Sequence, residues 1–161
     1  MVHFRVTKYD PSRRDSQGFY PLDEWTSIGE IGRSFGGVVL SREAYQRVED
    51  AYVAVAISYL QESGLMSLRV TGLENSAANK LSFSEGSTLA LEQISGVIRR
   101  VLREDFWCRL EHTAGYLHFG WDYYMYLGVP SPCPASHELA RSSGLFVENF
   151  QSPDFDQPVE S

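Results

Sequence analysis

Cys108, His112, His118, Asp122, Cys133 and His137 are the residues whose types ligate metals or move protons, and they fall within one stretch of the chain. Phe106 to His112 alternates as a strand does, so Cys108 and His112 share a face but stand roughly 13 Å apart, too far for one ion. Cys133 and His137 have ligand spacing only on a helix, and Pro134 stands between them. No C-x-x-C, H-E-x-x-H or H-x-H pattern occurs in the sequence. No metal and no cofactor is therefore expected. Cys108 with His118 is the sensible nucleophile–base pair, but a thiolate needs a neighbouring cation or a helix N-terminus. Cys108 sits between Trp107 and Arg109 in an apolar strand, the setting of a small buried hydrophobe. No catalytic residue is assigned.

Two further patterns resemble sites only in composition. Glu111 and Asp122, with Glu148 near, form a candidate carboxylate pair. A solvated acidic sheet face is the simpler account. Gly29, Gly32, Gly36 and Gly37 match neither G-x-G-x-x-G nor G-x-x-x-x-G-K-[ST], and turn glycines explain them.

The aromatic run Trp121-Asp122-Tyr123-Tyr124-Met125-Tyr126-Leu127 carries the functional expectation. Read as a strand, it directs Trp121, Tyr123, Met125 and Leu127 inward, and Asp122, Tyr124 and Tyr126 outward. Outward-facing Trp107, Arg109 and Glu111 on a neighbouring strand would complete a face of tyrosine, tryptophan, arginine and acid. These residue types are enriched in interface hot spots. Trp107, Glu111, Asp122, Tyr124 and Tyr126 are the expected partner-binding residues.

The elements that hold these residues follow from periodicity. Val2 to Lys8 alternates as a strand, and Tyr9 to Gly18 is a polar loop. Ser27-x-x-Glu30 fits a capping box opening a helix of one or two turns. Tyr45, Val48, Tyr52, Val55, Ala56 and Tyr59 mark a long amphipathic helix over 42–63, with Ser41 as N-cap and Gly64 just past its end. Leu65 to Leu73 reads as a strand with Leu68, Val70 and Met66 inward, and Leu81 to Phe83 as a short strand. Ser87 to Arg103 reads as a second helix. Phe106–His112, Tyr116–Phe119 and Trp121–Val129 read as an antiparallel meander, Ala135–Arg141 as a short helix, and Leu145–Phe150 as a last strand. The fold class is α+β: a two-layer sandwich with a mostly antiparallel sheet of four to six strands and two main helices on one face. Residues 1–150 form one domain, and 151–161 an acidic, flexible tail.

Composition narrows the function classes. The chain has 161 residues, 14 basic and 21 acidic, for a net charge of −7. Residues 1–103 balance, whereas 104–161 hold two basic and nine acidic residues, the whole of the excess. Phosphate binding rests on Lys and Arg, so the balance argues against nucleic acid and anionic membrane surfaces as partners. No apolar run approaches the ~20 residues that span a bilayer. With only two cysteines and no apolar leader, a cytoplasmic protein with free thiols is expected. The expected function is a small acidic protein-binding module, of the bacterial immunity or antitoxin-like kind, that blocks a basic effector protein. The alternatives are a small enzyme or ligand-binding domain with a site around Cys108, His118 and Asp122, and a structural protein that homo-oligomerises, a homodimer in the simplest case.

Overall fold

The computed structural model describes residues 1–156. In chain order the strands and helices are β1 (Val2–Thr7), β2 (Ser34–Phe35), β3 (Val38–Val39), α1 (Arg42–Glu62), β4 (Ser67–Glu74), β5 (Thr88–Ala90), α2 (Leu91–Leu102), β6 (Trp107–His112), β7 (Gly115–Phe119), β8 (Met125–Val129), α3 (Pro134–Ser142) and β9 (Phe146–Asn149). Seven strands form one sheet in the order β5-β4-β6-β7-β8-β1-β9, and β2 and β3 form a separate hairpin. Every pairing in the large sheet is antiparallel. This is the expected α+β sandwich with a wider sheet, and the short helix expected over Ala135–Arg141 is α3. Among the described residues, no helix is long and apolar enough to cross a membrane.

The helices cover one face of the sheet. α1 is helical for the reasons its sequence shows. Ser41 Oγ accepts the Ala44 N–H at 3.0 Å. At the other end Gly64 takes φ +79°, so that its N–H reaches Gln61 O at 3.1 Å and that of Leu65 reaches Leu60 O at 2.8 Å. Its buried stripe of Tyr45, Tyr52, Val55, Ala56 and Tyr59 meets Phe4, Val6, Leu110, Leu117, Met125 and Leu127 from the strands in one core. Glu49, on the same helix, is fully buried and bonded by Arg99 of α2 and by Arg103 at its C-cap, which ties the helices together above the sheet.

Several local expectations are corrected. Thr88–Ala90 is a strand, not the start of the second helix, because it pairs with the edge of β4 over Ser67–Arg69. Leu81 to Phe83 is irregular. Met66 precedes β4 and is exposed. The Ser27 box closes only a single 3-10 turn over Ile28–Glu30. Its Glu30 carboxylate accepts from both the backbone and the hydroxyl of Thr26, so it anchors the preceding loop.

The largest correction concerns the C-terminus. The segment expected to fray from residue 151 crosses the sheet face opposite the helices. The Phe150 N–H bonds to His3 O, and the Phe150 ring lies under the Arg5 guanidinium at 3.9 Å. The Ser152 hydroxyl meets His118 Nδ1 at 2.7 Å, and the Ser152 N–H meets the Tyr116 hydroxyl at 3.2 Å. Phe155 packs on His3 and Tyr116. The strap is held by these bonds to His118 and Tyr116 and by the Arg109 guanidinium, which donates to Asp154 O at 3.4 Å. The rest of the expected tail, 157–161, lies outside the described residues.

Candidate binding site

The expected docking residues separate into two places. Trp107, Glu111 and Tyr126 stand on the sheet face beneath or beside the strap. Tyr126 is only 8% exposed, with Phe150 against its ring. Trp107 is half-buried and spends its indole N–H on Phe119 O at 3.1 Å. The Glu111 carboxylate accepts from His118 Nε2 at 3.0 Å. That bond leaves Nδ1 to accept the Ser152 hydroxyl, whose oxygen in turn accepts the Asp154 N–H at 3.1 Å. Ser152, His118 and Glu111 thus stand in the order of a nucleophile, base and acid. Ser152 is buried, and it lines neither the cavity beside Tyr9 and Tyr124 nor the one beside Ser67 and His112. The relay fastens the strap.

The alternative site around Cys108, His118 and Asp122 is also corrected. Alternation on β6 puts Cys108 in the core under the helices. His118, on the neighbouring strand, belongs to the opposite face with Ser152 and Glu111. Burial pushes the Cys108 thiol up to about 12, the reverse of activation. Among the described residues, no three His, Cys, Asp or Glu side chains are grouped to hold a metal ion.

Asp122 and Tyr124 come together elsewhere, because the run expected to be one strand is broken. Trp121 to Tyr124 is a turn, and β8 begins only at Met125. Asp122 and Tyr123 take φ +55° and +68°, and the Tyr124 N–H closes on Trp121 O at 3.2 Å. Two consecutive left-handed residues make a type I′ turn, which ordinarily uses Asn-Gly. Here each costs of order 1–3 kcal/mol, and the surroundings must hold it. Tyr123 supplies the hold. Its side chain is drawn into the core, its carbonyl accepts the Tyr52 hydroxyl at 2.7 Å, and its own hydroxyl donates to Tyr45 at 2.9 Å. Tyr45 passes the chain on to buried Glu49 at 2.7 Å. With Tyr123 inward, Trp121 is thrown outward, 87% exposed, where alternation had placed it in the core.

The same turn walls a cavity of about 140 Å³ lined by Tyr9, Tyr20, Leu22, Glu24, Thr26, Asp122 and Tyr124. The loop that supplies most of this wall is held by Lys8, which meets Glu24, and by Trp25, which packs on Tyr45 and Tyr123. Tyr9 donates its hydroxyl to Trp25 O at 3.2 Å. The rings of Tyr20 and Tyr124 lie 5.1 and 5.8 Å from that of Tyr9. Tyr20 donates to Glu24 Oε1 at 2.7 Å, and Lys8 Nζ meets Glu24 Oε2 at 3.4 Å. The Lys8 ammonium also lies over the rings of Tyr9 and Trp25, at 4.2 and 4.1 Å. Burial pulls Lys8 down to about 8, with Glu24, Glu30 and Asp122 pulling the other way. Burial, reinforced by Glu24, pushes the Tyr20 hydroxyl up to about 12.

Sequence reasoning missed Tyr9, Tyr20 and Glu24 because they belong to a segment with no period. The one available signal was the density of aromatics and acids in an otherwise polar loop. A second cavity of about 470 Å³ opens at the far side of the sheet among Ser67, Arg69, Thr88, Glu111, His112 and Thr113, without aromatic walls. Comparison with protein-family models, with curated proteins and with solved structures finds no match for this chain.

Proposed function

We propose that this protein is a protein-binding module for a basic partner, of the bacterial immunity or antitoxin-like kind, acting in the cytoplasm. The docking surface is the tyrosine cavity and its rim, in place of the strapped sheet face. The observation that carries the reading is Trp121, an almost fully exposed tryptophan on a strained turn beside the carboxylate of Asp122. Phe19 and Leu22, also exposed, flank Tyr20 on the facing loop. Exposed large aromatics beside a cavity are the pattern of interface anchors. The net charge of −7 steers a basic protein toward the molecule. Two buried, unpaired cysteines suit a reducing compartment.

Site-specific photo-crosslinking in the native cell tests this reading. A benzophenone amino acid replaces Trp121 in one strain and exposed Met66 in another. The expected result is a discrete adduct with a basic protein from position 121 and none from position 66. An adduct of twice the chain mass would replace the reading with self-association. No adduct, or equal adducts from both positions, would remove the docking surface.

A further inference from the structure

We propose that the cavity between Tyr9, Tyr20, Glu24, Asp122 and Tyr124 is an anchor pocket for a single guanidinium group, an arginine side chain presented by the basic partner. This rests on the reading of the protein as a binding module and specifies what its site recognises.

Size sets the first limit. At about 30 Å³ per water, 140 Å³ holds between four and five waters. That is room for a planar ionic head group, and well below the ~300 Å³ at which whole small-molecule sites begin. Chemistry sets the second limit. The lining offers tyrosine rings and two carboxylates, with no cation among its members. Aromatic faces and carboxylates together select cations.

Two cations of this chain already show the preference. Lys8 is held by the ring of Tyr9 and the carboxylate of Glu24, both cavity residues. Arg5 places its guanidinium over the ring of Tyr124 at 5.2 Å. Glu24 is half engaged by Tyr20 and Lys8. Asp122 has no hydrogen-bond or ion-pair partner among the described residues. The left-handed turn places that exposed carboxylate on the rim of the cavity. Arginine fits better than lysine, because a planar guanidinium stacks on tyrosine while donating two parallel bonds to a carboxylate.

The test uses the full chain and N-acetyl-L-arginine amide as probe, followed by amide NMR shifts. N-acetyl-citrulline amide, which has the shape without the charge, is the comparator. Saturable shifts are expected at 122–124 and Thr26, with a dissociation constant on the order of 1–10 mM. Citrulline should give none. Asp122→Asn keeps a residue that tolerates the left-handed region and should weaken the arginine probe at least about fivefold. No saturation by about 50 mM probe, equal shifts from citrulline, or unchanged affinity in Asp122→Asn would overturn the assignment. The two readings fail separately. If arginine amide binds as expected while Trp121 crosslinks nothing, the pocket stands and the protein-binding module falls. If Trp121 captures a basic protein and Asp122→Asn leaves that capture undiminished, the guanidinium anchor falls.

Discussion

Replacing Glu148 by glutamine removes a charge shared by two guanidiniums while keeping the shape of the side chain. Glu148 on β9 lies opposite Arg5 of β1 and accepts its Nε at 2.9 Å. Arg14, from the loop after β1, reaches the same carboxylate at 2.5 Å. Burial alone would raise this carboxyl, but the bonds from Arg14 and Arg5 outweigh it and hold it at about 2. An unfolded glutamate titrates near ~4.3, so the gap exceeds two pH units, and at about 1.4 kcal/mol per unit the upper bound is about 3 kcal/mol. The side chain keeps 21% exposure, and water and salt screen part of the attraction. The expected loss in Glu148→Gln at pH 7 is therefore about 1.5–2.5 kcal/mol. The folded value lies below the unfolded one, so the stabilisation is complete above pH ~4.3 and is lost as pH falls toward 2. The variant cannot titrate there. The gap between wild type and variant should close across that window, because protonated glutamate and glutamine are nearly isosteric. Urea unfolding followed by circular dichroism at pH 7, 4 and 2.5 reads both quantities. Equal stability at pH 7, or a gap that stays constant down to pH 2.5, would refute the ion-pair account.

Lys8→Met should stabilise the protein by about 1–3 kcal/mol at pH 7, since burial depresses this ammonium, and the advantage should vanish as pH rises from about 8 through ~10.4. Parallel denaturation of both proteins across that range checks the sign. Ser152→Ala removes the hydroxyl between His118 and the Asp154 N–H, and should cost about 1–2 kcal/mol while speeding hydrogen exchange at residues 152–155; unchanged exchange would mean the strap is held by its rings alone. Neither Cys108 nor Cys133 should react with a thiol reagent in the native protein, and both should react in urea, because each is buried and its thiol is pushed up by burial.

The proposed site and the fold around it differ in how far sequence reaches. α1 was readable from end to end, cap and terminating glycine included, because Ser41, the Tyr45–Tyr59 stripe and Gly64 act within a few residues of one another. β1, β6 and β7 were readable through alternation for the same reason. The meander failed at Trp121–Tyr124, where the alternation is as regular as in a true strand. What breaks it is the pull on Tyr123 from Tyr52 and Tyr45, 71 and 78 positions away. The charge distribution misled in a related way. The C-terminal third has its excess of acid, but Glu148 is matched by Arg5 and Arg14, and Asp105 by Arg100.

By itself, then, the sequence determined what neighbouring residues settle between them: the helices, most of the strands, the α+β class and the net charge. Spacing of apolar side chains expresses those directly, because a period of 2 or 3.6 is a local property of backbone geometry. Tertiary structure alone decided that the C-terminal strap covers the open face, that Ser152, His118 and Glu111 fasten it, and that Tyr9, Tyr20, Glu24, Asp122 and Tyr124 share one cavity. These residues meet through strand order and loop routing, and contacts so distant along the chain leave no periodic trace in it.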